Sequence, residues 1–119
     1  MAQPIIDQVL KDARDIIADR RRRLRDLEAV TADGCECDPC AEEAYRFCAV
    51  GAIIRAAYEI TGDHEHAHSL GWQVAGMIAD AAKLPRLADR GWSVALLSDT
   101  RGQAAVLRAV DALLGERRT

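Results

Sequence analysis

All the cysteines and histidines of this chain, four and three of them, fall between Cys35 and His68. Cys35, Cys37 and Cys40 lie in Gly34-Cys35-Glu36-Cys37-Asp38-Pro39-Cys40, Cys48 follows, and His64, His66 and His68 alternate. Thiolates and imidazoles bind soft and borderline metals, so the crowding predicts a metal site, with zinc as the expected ion. Three thiolates need a fourth ligand to close a tetrahedron. If a helix starts at Pro39, Cys48 lies roughly 12 Å along its axis from Cys40. Two sulfurs on one zinc are roughly 4 Å apart, so Cys48 does not suit. The expected ligands are Cys35, Cys37 and Cys40 with His64 or His68. The histidines would fold back from the far end of a helix roughly 30 Å long, or come from a second subunit. Without a metal, the same thiols are reduced loop groups, or a module that senses metal or oxidant.

A second pattern competes for the histidines. His64-Glu65-His66-Ala67-His68 matches His-Glu-x-x-His. On a helix, His64 and His68 share a face and can hold zinc, with Glu65 as general base and Asp80 or Asp89 as a further ligand. Ser69-Leu70-Gly71 extends the metzincin-like spacing, but Val74 stands where the third histidine belongs. The chain also has little room for the sheet and cleft of a protease. A metal-dependent hydrolase is therefore the alternative to a non-enzymatic domain. Cys48 as a nucleophile, with a histidine base and Asp99 as orienter, conflicts with its expected place in mid-helix. That place is away from the helix N-terminus that lowers a thiol pKa, so a buried structural cysteine is expected.

The elements that must position these groups read as helices. Ile5, Ile6, Val9, Leu10, Ala13, Ile16 and Ile17 recur at helical spacing. Thr31 to Gly34 reads as a turn. Asp38 and Pro39 read as the N-cap and first residue of a central helix running to Thr61, with Glu42 and Glu43 complementing its dipole. That helix is apolar on two faces, Tyr45 to Ile60 and Phe47 to Tyr58, so it must be buried on both. Gly62 supplies its stop. A further helix is expected over Glu65–Leu84, ended by Pro85. A last helix follows a capping box of Thr100 and Gln103 and ends at Gly115. Val94, Leu96 and Leu97 leave room for one short extended segment at 93–97. The predicted fold is all-α, a bundle of four to five helices in one domain spanning 1–119.

Composition narrows the functions. Half the residues are apolar but only 4% are aromatic, which favours close-packed helices. A net charge of −3 provides no footprint for nucleic acid or an anionic membrane. The run Arg20-Arg21-Arg22-Arg23 with Arg25 is flanked by Asp15, Asp19, Asp26 and Glu28, and reads as a solvated, charge-paired helical face. No apolar run approaches the roughly 20 residues of a membrane span. Met1-Ala2-Gln3-Pro4 does not begin like a signal peptide, so a cytoplasmic location is expected. There is no phosphate-binding glycine loop, dinucleotide fingerprint or Gly-x-Ser-x-Gly.

Two stretches resemble a known pattern. Arg46-Phe47-Cys48-Ala49-Val50-Gly51-Ala52-Ile53 is similar to the aromatic-Cys-x-x-Gly-Ala-aliphatic motif of a family of small bacterial and phage proteins of unknown function. Ser98-Asp99-Thr100-Arg101-Gly102-Gln103-Ala104-Ala105-Val106-Leu107 resembles that family's later Asn-Asp-x-x-Gly…Val-Leu motif, with Ser98 in place of Asn. Val9 to Ile17 is similar as well. The resemblance implies a helical fold and no assigned activity. The cysteine cluster and the histidines stand outside its pattern. The resulting expectation is a small non-enzymatic accessory or interaction protein with a structural zinc site. Its partner would be another protein or itself, as a homo-oligomer.

Overall fold

The computed structural model describes residues 2–25, 27–83 and 102–117. The expected extended stretch at 93–97, the Thr100 cap, and Asp89 and Asp99 lie outside these residues. Helix α1 spans Ala2–Ala18 and buries Ile6, Val9, Leu10, Ala13, Ile16 and Ile17 as its periodicity predicts, whereas Ile5, expected on the same stripe, is exposed. Helix α2 spans Ala49–Thr61, α3 spans His64–Ala81, and α4 spans Gln103–Arg117. The four close a ring in which α1 meets α2, α2 meets α3, α3 meets α4 and α4 meets α1. Helix α2 is buried on both faces, through Val50, Ile53, Ile54, Ala56 and Ala57. Two glycines mark where its neighbours come closest. A Cβ at Gly51 would lie 1.9 Å from the Glu28 carbonyl oxygen, and one at Gly71 would lie 2.7 Å from Ile54 Cγ1.

The fold is predominantly helical but not purely so, which corrects the all-α expectation. Strands β1 (Ala29–Thr31) and β2 (Ala44–Phe47) pair antiparallel, with Ala29 opposite Phe47 and a bulge between Val30 and Thr31. The central helix expected from Pro39 therefore begins ten residues later, at Ala49. Tyr45 and Phe47 favour strand, and pairing with β1 satisfies backbone that a helix would otherwise have used internally. Phe47 and Ala44 face the core, whereas Tyr45 is exposed. Glu42 and Glu43 lie in turns before β2 and adjoin no helix start.

The arginine run also departs from expectation. Arg20–Arg22 form one 3-10 turn capped by Asp19, whose carboxylate accepts from the Arg21 backbone N–H at 3.0 Å. Arg22 turns inward. Its Nε donates to the Tyr45 carbonyl at 3.0 Å, and its guanidinium lies over the Tyr45 and Phe47 rings. At the last helix, Gly102 has a left-handed φ of +82° and Gln103 is the first helical residue, earlier in the helix than a capping box would place it. That helix continues through Gly115 to Arg117.

Candidate metal centre

The connection between α2 and α3 is two residues long. Gly62 takes a left-handed φ of +69°, and its N–H reaches the Tyr58 carbonyl at 2.8 Å, closing α2. Asp63 then caps α3, accepting from the Glu65 N–H at 3.2 Å. Helix α3 thus starts at His64, and His64 and His68 fall one turn apart on the same face. Their ring centroids are 4.6 Å apart.

Facing them is the turn that the sequence presents as a helix start. The Asp38 carboxylate accepts from the Cys40 N–H at 2.8 Å, and the Ala41 N–H reaches the Asp38 carbonyl at 2.9 Å. Asp38 and Pro39 thus make a local cap, but the chain turns away toward β2 after Ala41. Pro39 is fully buried. From helix α2, Arg55 donates through Nη1 to the carbonyls of Pro39 at 3.2 Å and Ala41 at 2.5 Å.

The turn delivers Asp38 between the two imidazoles. His64 Nε2 is 2.9 Å from Asp38 Oδ2, and His68 Nε2 is 3.2 Å from the same oxygen. An ionised carboxylate only accepts, so both Nε2–H groups donate to it. Burial pushes the Asp38 carboxyl upward. The bonds from the Cys40 N–H, His64 and His68 outweigh that and hold it well below the usual carboxylate range. Cys40 is nearly buried, at 8% exposure. Burial first, and then the Asp38 charge, push its thiol up to about 11. One donor atom each from Asp38, Cys40, His64 and His68 lies within 4.8 Å of all the others.

Of the residues singled out by spacing, the structure brings Cys40, His64 and His68 together and adds Asp38. Cys35 and Cys37 lie outside this group. Cys35 is exposed on the turn after β1, where its carbonyl accepts from the Thr31 N–H at 2.8 Å. Cys37 is half-buried, its N–H bonded to the Ala29 carbonyl at 3.1 Å. His66 faces away, near Asp63. Asp80 is twelve residues beyond His68 on α3, roughly 18 Å along the axis, and does not join the group. The separation of roughly 30 Å that an unbroken helix would impose between Cys40 and the histidines does not arise. Residues 38–47 are turn and strand, and they fold back against α2.

Cys48 is not in mid-helix. It is the N-cap of α2, and its Sγ accepts from the Gly51 N–H at 3.3 Å. Asp38 and Arg55 were the residues that spacing did not single out as site groups. Asp38 carried a signal, since a carboxylate beside a cysteine is a zinc ligand type. Arg55 carried none.

The comparisons with known proteins bear on family alone. A family model described as "Family of unknown function (DUF6197)" matches residues 1–116, and the chain belongs to that family. No curated protein and no solved structure matches the chain.

Proposed function

We propose that this member of a family without an assigned activity is a small non-enzymatic metal-binding protein, holding one zinc ion between the Asp38–Cys40 turn and the first turn of α3. The observation that supports this is the convergence of Asp38, Cys40, His64 and His68 donor atoms within 4.8 Å of one another. One sulfur, two imidazole nitrogens and one carboxylate oxygen form a donor set suited to zinc, and poorly suited to magnesium or calcium. Bonds of about 2.0–2.3 Å require side-chain movements of only about 1 Å to close the tetrahedron. Four protein ligands leave no position for a substrate or activated water, which favours a structural role. Binding would release the Cys40 thiol proton to solvent and leave each imidazole neutral with its proton on Nδ1, freeing Nε2 for the metal. The ion would staple α3 to the turn before β2.

The reading is tested by titrating cobalt(II) into the reduced protein and following the thiolate-to-cobalt absorption band. One cobalt per chain is expected, with the band lost in Cys40→Ser and binding weakened in His68→Ala but not in His66→Ala. Failure of the natural protein to bind removes the reading. A band that instead needs Cys35 and Cys37 moves the site to the loop thiols.

The hydrolase reading keeps one favourable observation: His64 and His68 share a face at an open surface, with His64 59% exposed. It requires that Asp38 leave the metal for water. Metal-dependent turnover of an ester or peptide, abolished by Glu65→Gln, would establish it in place of the structural role. The partner in our reading is another protein or a second copy of the chain. The exposed Leu27, and the exposed Tyr45 beside Arg22, support that, and sedimentation velocity distinguishes the two. A thiol-ligated ion and the exposed Cys35 fit a reducing, cytoplasmic setting.

A further inference from the structure

Arg55 is a largely buried cation on α2, 17% exposed. Its Nη1 bonds to the carbonyls of Pro39 and Ala41, the two residues that bracket Cys40. Its Nε donates to Glu59 at 3.1 Å, one turn along α2, which orients the guanidinium plane. The bonds within the turn, from Cys40 N–H and Ala41 N–H to Asp38, set its shape but not its place. Arg55 ties that place to α2. Gly62 and Asp63 alone separate α2 from α3, so Arg55 joins the Asp38–Cys40 half of the donor set to the helical hairpin that carries the histidine half.

We infer that Arg55 is a positioning residue for the metal centre, holding the Asp38–Cys40 turn at the distance from His64 and His68 that a shared ion needs. The inference rests on the metal-binding reading above. A planar fork can serve both carbonyls and Glu59 together. A lysine is a single point charge and can serve them only in part.

The test is cobalt(II) titration of the full chain, for the natural protein and for Arg55→Gln, Arg55→Lys and Glu59→Gln. Each variant is also melted with and without cobalt. Arg55→Gln should weaken cobalt binding by about 10- to 100-fold, the usual effect of losing a group that orients metal ligands. Arg55→Lys should fall between it and the natural protein, and Glu59→Gln should show a smaller loss. The rise in melting temperature on adding cobalt should shrink in the same order. A purely structural Arg55 would lower the melting temperature equally with and without cobalt and leave the affinity unchanged, and that result overturns the inference. If Arg55→Gln does not fold, natural affinity in both Arg55→Lys and Glu59→Gln overturns it equally. Failure of the natural protein to bind cobalt is a different outcome, and it removes the metal reading itself.

Discussion

Replacing Gly51 by alanine should destabilise the protein, although alanine is the better helix former. The new Cβ would stand 1.9 Å from the Glu28 carbonyl oxygen and 2.9 Å from its carbon. A comfortable carbon–oxygen contact is about 3.3 Å, so helix and loop must part by about 1.4 Å. Both atoms belong to backbone, so no side-chain rotation relieves the clash. The same Glu28 oxygen accepts from the Cys48 N–H at 3.3 Å, a bond that the separation stretches further. Overpacking costs about 1–3 kcal/mol, and the weakened hydrogen bond about 1 kcal/mol. Alanine's helical preference returns about 1 kcal/mol. The net loss is about 1–3 kcal/mol, read as a lower urea midpoint at unchanged slope. Gly115→Ala is the control. It lies in α4 with nothing within 4 Å of a new Cβ, so the same change should stabilise by up to about 1 kcal/mol. A Gly51→Ala protein as stable as the natural one would refute the close approach of α2 to the Glu28 carbonyl.

Zinc at about 100 times its dissociation constant should add about 2.7 kcal/mol to the unfolding free energy, reversed by a chelator; an unmoved urea midpoint would count against the site. In the metal-free protein, the Asp38 carboxyl has its pKa lowered by folding. Its contribution is therefore present above the unfolded carboxylate value of about 3.9 and lost as pH falls below it. Asp38→Asn should flatten that acid limb in a series of urea midpoints against pH. The Cys40 thiol runs the other way, since its pKa is raised from 9.0 to about 11. Its contribution is complete below about pH 9 and lost as pH rises toward 11. Cys40→Ala should remove this alkaline loss, and a profile identical to that of the natural protein would contradict the assigned burial.

The stretch from Phe47 to Ala52, which resembles a family motif, has a packing account residue by residue. Phe47 is buried beneath the Arg22 guanidinium, and Cys48 caps α2. Gly51 admits the Glu28 carbonyl, and Ala52 is fully buried. Each role is steric or backbone-directed and none needs a reaction. The metal donors lie elsewhere, in the turn before β2 and at the head of α3.

The sequence by itself determined what depends on neighbours along the chain. The apolar spacing of α1, the two buried faces of α2 between Ala49 and Ile60, the Gly62 stop and the first turn of α3 all rest on contacts within about four residues. The crowding of thiols and imidazoles, and the pairing of His64 with His68, were equally legible, because one helical turn separates them. Tertiary structure alone decided the rest. Ala44–Phe47 could satisfy a helical or a strand pattern locally, and the β1 backbone thirteen or more residues earlier settled the choice by offering hydrogen bonds. That choice moved the start of α2, put Cys48 at a cap, and let Cys40 return to the histidines. Asp38 meets His64 and His68 across 26 and 30 residues of chain. Arg55 reaches Pro39 and Ala41 across 16 and 14. No local propensity encodes such meetings; they follow from the one packing that buries α2 on both faces and still pairs its polar neighbours.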